Sequence, residues 1–186
     1  MPKLVAFNNI TLDGYFTGLN GDMTWARNDD PEWNQFVIDN AMPDGVLLFG
    51  RITYELMAMY WPTPLAAQQN PLLAERMNKL PKVVFSNTLS KPSWSNTRVV
   101  SGDITAAVRR MKQEPGNDMA ILGSGSIIAQ LTDTGLIDSY EFVVHPVLLG
   151  AGRTMFEGIQ HKPDLTRTGV RSFANGNVLL SYALKP

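Results

Sequence analysis

The chain has 186 residues, a mass of 20.6 kDa and a formal net charge of −1 at pH 7. This charge, without any basic run, argues against nucleic acid or an anionic membrane as the main partner. The absence of cysteine excludes disulfides, thiolate catalysis and cysteine-ligated metals, and 2 histidines are too few for a histidine-rich metal site. With 44% hydrophobic residues, the length fits a single domain over residues 1–186 with a substantial core.

The apolar stretches of the chain are short. The one near the start, within residues 3–9, is too short for the core of a signal peptide, and no later run is long enough to span a bilayer. We therefore expect a cytoplasmic protein that acts on a small molecule and binds neither nucleic acid nor membrane.

The first half of the chain predicts strands that alternate with helices. A strand over residues 3–9 is followed by a long loop, and residues 17–29 of that loop are candidates for an active-site flap because such loops are often functional. Asp30 and Pro31 have the pattern of a helix cap and a first helical residue, so a helix is expected to about Ala41. The elements expected next are strand 46–49, helix 51–60, a helix over 71–79, and strands 82–86 and 97–100.

The second half begins in the same way and then changes character. Asp103 is predicted to cap a helix that ends at Pro115, and strand 119–122 leads into helix 125–132. Beyond these, the pattern predicts only strands: 139–149, interrupted by Pro146, and then 170–173 and 178–183 around an Asn175-Gly176 turn. The expected fold class is α/β, with a mixed, mostly parallel sheet flanked by helices and an antiparallel C-terminal hairpin.

Two predicted strands end in glycine and lead directly into helices. At such a junction glycine lets the backbone approach a ligand, and the helix N-terminus presents free N–H groups to an anion. A tight turn or close helix-sheet packing is the alternative for each junction alone, whereas the two together indicate one long ligand with phosphates. The candidate ligand-binding residues are Gly50, Arg51 and Thr53 at the first junction and Gly123, Ser124, Gly125 and Ser126 at the second.

Polar residues at two other predicted strand ends are further candidates. Ser86 is placed to receive a ribose or a ring edge, and Asp13 to face the same crevice. For both residues an ordinary turn is the alternative interpretation, because serine and aspartate are common in turns.

Acidic side chains crowd the start of the first predicted helix. Asp30 has the position of the cap, and Glu32 that of a favourable partner for the helix dipole. Glu32 also shares a helix face with Phe36, and a carboxylate on an apolar face beside a loop is a candidate for proton transfer. We therefore take Glu32, Asp30 and Asp13 as candidate catalytic residues, with purely structural roles as the alternative.

The aromatic residues are spaced as core or pocket wall rather than as platforms for nucleic-acid bases. We take Trp25, Trp33, Phe36 and Trp61 as candidate walls of a substrate crevice. His145, which precedes a proline in a predicted strand, is expected to be structural.

Several segments, taken in chain order, resemble the dihydrofolate reductase superfamily, and most of all its branch with the C-terminal reductase domain of bifunctional riboflavin-biosynthesis (RibD) proteins. The resemblance covers nearly the whole chain. The segments are Thr11-Leu12-Asp13-Gly14-Tyr15, Gly50-Arg51-Ile52-Thr53-Tyr54-Glu55, Leu122-Gly123-Ser124-Gly125-Ser126, Gly135-Leu136-Ile137-Asp138 and the run from His145 to Phe156.

The resemblance implies a three-layer dihydrofolate-reductase-like fold that binds NADPH across its strand ends and delivers hydride to a flat heterocycle. It implies that Gly50, Arg51 and Thr53 contact phosphates or the adenine-side ribose, that Ser86 contacts the adenosine end, and that residues 123–126 contact the pyrophosphate. The family also pairs as homodimers, which we expect here.

The chain departs from the riboflavin-type pattern at two positions. Phe7 and Leu122 stand where those reductases carry a lysine and a glutamate that would handle a phosphorylated ribityl or ribosyl substrate. We therefore expect an NADPH-dependent oxidoreductase that acts on another pteridine- or pyrimidine-like substrate. The alternative is a non-enzymatic, homodimeric module of the same fold that binds a nucleotide or heterocycle.

Overall fold

The computed structural model describes residues 1–28, 30–41 and 44–185. Residue 29, the last of the expected flap, lies outside the described residues. Within the described part of the chain, no helix is both long and apolar enough to cross a membrane.

A large β-sheet forms the centre of the molecule. In chain order the strands are β1 (Leu4–Thr11), β2 (Tyr15–Thr17), β3 (Val46–Gly50), β4 (Lys82–Phe85), β5 (Thr97–Val100), β6 (Met119–Leu122), β7 (Ser139–His145), β8 (Arg153–Thr154), β9 (Leu165–Ser172) and β10 (Val178–Leu184). The main sheet has 8 strands in the order β5-β4-β3-β6-β1-β7-β10-β9, and β2 pairs with β8 separately.

The pairing directions confirm the expected mixed sheet. Parallel pairing joins β5, β4, β3, β6, β1 and β7, whereas β10 is antiparallel to both β7 and β9. The C-terminal hairpin therefore docks through its second strand, and β9 lies at the edge of the sheet.

Caps and prolines define the helix starts, as the sequence indicates. The Asp30 carboxylate accepts a hydrogen bond from the Trp33 N–H at 2.8 Å, and Asp103 caps the later helix through the Ala106 N–H at 3.0 Å. The helices are α1 (Pro31–Asn40), α2 (Arg51–Tyr60), α3 (Pro64–Gln69), α4 (Pro71–Lys79), α5 (Ile104–Gln113) and α6 (Gly125–Asp133).

The structure differs from the expected elements at several places, which include the unpredicted strands β2 and β8. The short helix α3 was not predicted, although Thr63 and Pro64 carry the same cap-and-proline signal, and the Thr63 hydroxyl accepts from the Ala66 N–H at 3.3 Å. Strand β7 ends at His145 instead of continuing through the proline, which has no N–H to donate to a ladder. Strand β9 begins at Leu165, earlier than expected, because β10 pairs with it along its whole length.

The core consists of layers on both faces of the sheet. One face, which includes Leu48 and Ile121, packs against α5 and α6 through residues such as Val108 and Ile128. The other face, which includes Leu47, packs against α1, α2 and α4. The alternation of Leu47 and Leu48 between the two clusters is the period-2 pattern of a strand buried on both sides. The result is the expected three-layer, dihydrofolate-reductase-like fold.

Candidate functional site

The two glycine junctions meet in space because β3 and β6 are neighbouring parallel strands. The Gly50 N–H donates a hydrogen bond to the Ser124 Oγ at 2.7 Å, and the Ser124 hydroxyl donates to the Thr53 Oγ1 at 3.1 Å. Strand β4 lies on the other side of β3, so Ser86 follows at the next strand end. We call this row, from Ser86 through residues 50–53 to 123–126, the strand-exit edge.

Close packing explains the glycines of this edge. Gly123 has φ +68°, and a Cβ there would lie 2.8 Å from the Thr53 Cγ2. A Cβ on Gly50 would lie 2.8 Å from the Ser124 Oγ, and one on Gly125 would lie 3.0 Å from the Phe16 ring. Since Cβ atoms do not approach neighbours this closely, glycine brings the backbones of two helix N-termini together. The packing alternative from the sequence therefore applies to these glycines, and the ligand-binding interpretation stays a prediction.

The donors of this edge suit an anionic ligand. The N–H groups of Gly125 and Ser126 lie in the first turn of α6, where no intrahelical acceptor exists, and the Ser126 side chain is exposed. The Arg51 side chain is 44% exposed, and its guanidinium pairs with Glu55 at 3.0 Å, from which it can turn toward a phosphate. These groups fit the phosphates of a dinucleotide such as NADPH.

Three predicted ligand-binding hydroxyls, those of Thr53, Ser86 and Ser124, make hydrogen bonds inside the protein. Ser124 joins the two junctions, as described above. The Ser86 Oγ accepts hydrogen bonds from the Thr88 N–H at 3.1 Å and the Leu89 N–H at 3.0 Å, which is the geometry of a serine turn. Ser86 lies at the outer end of the edge, and its hydroxyl also lies 3.4 Å from the Thr88 Oγ1.

An apolar cavity of about 280 Å³ lies beside the strand-exit edge, on the sheet face covered by α1, α2 and α4. Its floor includes Leu122, Phe7 and Glu141, which are register partners on the adjacent strands β6, β1 and β7. Leu122 immediately precedes Gly123, so the cavity and the edge adjoin at this residue. We call this space the apolar cavity.

The structure places one of the four predicted aromatic walls at this cavity. Trp61 lines it. Trp25 and Trp33 instead stack edge-on against His145, with ring centroids 5.2 and 5.9 Å apart, and Phe36 packs with Trp33 and Phe173. Trp25, Trp33 and Phe36 do not line the apolar cavity: α1 turns the face with Trp33 and Phe36 toward β7 and the hairpin, and presents Val37 and Asn40 to the cavity.

The two candidate acids at the start of α1, Asp30 and Glu32, do not line the cavity. Asp30 caps the helix, and the exposed Glu32 accepts a hydrogen bond from the Ala174 N–H at 3.1 Å and lies 3.4 Å from the Arg171 Nη2. Glu32 thus joins α1 to the turn between β9 and β10. Neither side chain lines the apolar cavity, so this geometry supports their structural roles.

Asp13 fastens the end of β1 to a neighbouring loop. Its carboxylate accepts hydrogen bonds from the Thr11 hydroxyl at 2.6 Å, from the Gly150 N–H at 2.8 Å and from the Leu149 N–H at 3.0 Å. These donors, the Thr11 hydroxyl foremost, lower the pKa of Asp13. An ionised carboxylate with three donors is a poor proton source, which favours the turn interpretation of Asp13.

His145 is buried and lies with its Nε2 2.9 Å from the Asn9 Oδ1. Burial lowers the pKa of His145, so the imidazole between the two tryptophans is neutral at pH 7. This placement agrees with the expected structural role.

Glu141 is the residue that sequence reasoning missed. It is the one acidic or basic residue among the described residues lining the apolar cavity. A signal for it exists in the sequence: Glu141 interrupts the otherwise uncharged strand 139–145, at a position of the same parity as the buried Val143. Its partners in the cavity come from other strands, so the strand alone does not show what it faces.

The chain is similar to known proteins over its full length. It is 28% identical over 176 residues to the uncharacterized protein YyaP of Bacillus subtilis, covering 93% of this chain and 90% of that one. A solved deaminase/5-amino-6-(5-phosphoribosylamino)uracil reductase of Thermotoga maritima superposes with a TM-score of 0.69 at 14% identity, over 99% of this chain and 57% of that one. Dihydrofolate reductase of Enterococcus faecalis, complexed with NADP(H), gives a TM-score of 0.67 at 14% identity, over 99% and 97%.

At these identities the two solved structures establish a common fold. The family assignment rests on a separate comparison. The family model of the RibD C-terminal domain matches residues 2–179, and the chain belongs to that family.

Proposed function

We propose that the protein is an NADPH-dependent reductase that transfers a hydride to a small pteridine- or pyrimidine-like heterocycle. The observation that carries this proposal is the adjacency of two sites. A strand-exit edge rich in backbone donors adjoins an apolar cavity at Leu122 and Gly123. Such pairs of sites suit a phosphorylated cofactor beside a flat substrate.

Different residues of the strand-exit edge contact different parts of the cofactor. The N–H groups at the start of α6 and the Ser126 hydroxyl hold the pyrophosphate, and Arg51 binds a phosphate near the adenine-side ribose. Ser86, one strand further along the edge, contacts the adenosine end. When bound, NADPH supplies the hydride. Thr53 and Ser124 keep the two helix N-termini aligned rather than touching the ligand.

The apolar cavity holds and orients the substrate. Its volume of about 280 Å³ suits a molecule of one or two rings. Phe7, Leu122 and Trp61 exclude water from the ring, which keeps the reacting carbon in apolar surroundings. The reductases named above support this assignment through a shared fold.

Titration of NADPH fluorescence with stoichiometric protein at micromolar concentration tests the cofactor assignment. We expect saturable binding that Arg51→Gln weakens about tenfold, because it removes one charge-assisted pair with phosphate. Arg109→Gln, which changes an exposed arginine on α5, is the matched control and should leave the affinity unchanged. Absence of NADPH binding by the wild-type protein would remove the basis of the proposal.

A non-enzymatic binding module is the second candidate. The positions of Glu32, Asp30 and Asp13 away from the cavity favour it, since none of them can protonate a ligand there. Tight NADPH binding without turnover on pteridines, quinones and pyrimidines would support this candidate. The expected homodimer is a separate proposal, which sedimentation analysis of the purified protein tests.

A further inference from the structure

The floor of the apolar cavity is a row of three side chains across adjacent strands. Phe7 is paired in register with Leu122 on one side and with Glu141 on the other. Two members of the row are apolar and one is a carboxylate. The cavity therefore has a charged end, toward β7, and an apolar end, toward the strand-exit edge.

The charge of the cavity has one sign. No lysine or arginine lines it, as far as the described residues go, and its polar lining side chains there are Glu141 and Asn40. In the same described part of the chain, no lysine or arginine nitrogen lies within 4.0 Å of the Glu141 carboxylate. A ligand in this cavity meets a carboxylate that is not already neutralised by an ion pair.

From this arrangement we propose that the cavity binds an unphosphorylated, mainly apolar ring that carries N–H donors, such as an amidine or an aminopyrimidine, and that Glu141 determines this specificity. The inference rests on the proposed function in taking this cavity as the substrate site. The carboxylate accepts two hydrogen bonds from a planar pair of N–H groups, while Phe7, Leu122 and Trp61 pack against the ring. Asn40 offers an amide to a further polar atom.

The same row disfavours a phosphorylated substrate. A phosphate placed in the cavity would approach the Glu141 carboxylate with no described cation lining the space to offset the repulsion. Phe7 and Leu122 also line this floor, and neither side chain has a hydrogen-bond donor to offer a phosphate. Phe7, Leu122 and Glu141 therefore all disfavour a phosphate on a ligand bound in this cavity.

Two probes with the same ring and opposite head groups test the proposal by calorimetry on the full chain. Benzamidine carries a planar cationic N–H pair, and phenyl phosphate carries a dianion. We expect benzamidine to bind the wild-type protein at millimolar concentrations or better and phenyl phosphate not to bind. Glu141→Gln should weaken benzamidine binding about tenfold or more, because it removes a charge-assisted pair.

Two matched variants control for general effects of removing an acid. Glu114→Gln changes an exposed acid at the end of α5 and should leave benzamidine affinity within about twofold of the wild-type value. Glu32→Gln changes an acid that the sequence analysis named as a catalytic candidate. The benzamidine affinity of this variant should also equal that of the wild-type protein. Thermal unfolding of each variant establishes that it is folded.

The proposal is overturned if benzamidine fails to bind, if phenyl phosphate binds as well, or if Glu141→Gln leaves the benzamidine affinity unchanged. NADPH titration of Glu141→Gln separates this result from the proposed function. Glu141 lies in the cavity and not on the strand-exit edge, so the variant should keep wild-type NADPH affinity. Loss of NADPH binding by the wild-type protein would refute the reductase and leave the probe comparison valid.

Discussion

The strand-exit edge and the apolar cavity adjoin, yet they are built in opposite ways. The edge presents backbone N–H groups at two helix N-termini, which are held together by the hydrogen bond from the Gly50 N–H to the Ser124 Oγ. The cavity presents side chains from four strands and three helices, with Glu141 as its charged member among the described residues. Backbone donors are the same for every sequence, whereas side chains are not. Within one fold, cofactor binding can therefore persist while a single substitution changes the substrate.

The largest expected effect is a loss of stability, in a comparison of one tryptophan outside the apolar cavity with one that lines it. Trp33 packs against Phe36, Phe173 and His145, a group that we call the aromatic cluster. It is 6% exposed there, so Trp33→Ala should reduce the free energy of unfolding by about 3 kcal/mol while leaving benzamidine affinity nearly unchanged. Trp61→Ala should cost less stability, since Trp61 is only partly buried, and should weaken benzamidine binding. Urea unfolding and calorimetry measure the two quantities. Equal effects of both variants on binding would contradict the boundary drawn between cluster and cavity.

A methyl group at position 123 should distort the strand-exit edge and leave the lining of the apolar cavity unchanged. Gly123→Ala places a Cβ 2.8 Å from the Thr53 Cγ2 at φ +68°, which should cost about 2 kcal/mol of stability and weaken NADPH binding. Gly135→Ala is the control, with φ +64° and no atom of the described residues within 4 Å of the added Cβ. That variant should lose about 1 kcal/mol and keep NADPH affinity. Equal behaviour of the two variants would show that close packing at 123 is unimportant.

Substitution of two serines in the strand-exit edge should distinguish a hydroxyl that stabilises the fold from one that contacts the ligand. Ser124→Ala removes the acceptor of the Gly50 N–H and should cost about 1 kcal/mol of stability. Ser126→Ala changes an exposed hydroxyl, so stability should stay within about 0.5 kcal/mol while NADPH affinity falls several-fold. Thermal unfolding and NADPH titration of both variants measure these outcomes. The assignment is wrong if Ser126→Ala has no effect on NADPH affinity.

The smallest expected effect is a pH dependence of the stability that arises from His145 in the aromatic cluster. Burial lowers the pKa of His145 in the folded state, whereas the unfolded chain keeps the ordinary value of 6.5. Below pH 6.5 the unfolded state binds the proton more readily, so stability falls with falling pH until the folded pKa is reached. His145→Gln should show a shallower decline between pH 7 and 5 than the wild-type protein. Parallel unfolding curves over this range would contradict the prediction.

Much of the edge could be predicted from the sequence because its signals are local. Gly50, Arg51 and Thr53 lie within one helical turn, and residues 123–126 are consecutive, so strand end, glycine and helix start are visible together. Neighbouring parallel strands then place both motifs side by side. Caps and prolines likewise identified most helices, since each signal spans only a few residues.

The cavity could not be predicted in the same way because its parts are distant in the chain. Phe7, Trp61 and Glu141 meet only through strand order and through the rotation of helices on the sheet. The periodicity of α1 shows that Trp33 and Phe36 share an apolar face, but not which neighbour that face contacts. The acid that shares a cavity with the aromatic ring of Trp61 therefore lies on β7 and not on α1.

The docking of β10 between β7 and β9 also has a consequence for the order of assembly. Until residues 178–184 have been synthesised, β7 has no partner on its outer side and presents unpaired backbone N–H and C=O groups. Six parallel neighbours could pair earlier on the ribosome, yet the strand that bears Glu141 would keep an open edge. A nascent chain paused before this segment would be exposed to pairing with a second copy, and truncations there should aggregate rather than merely lose stability.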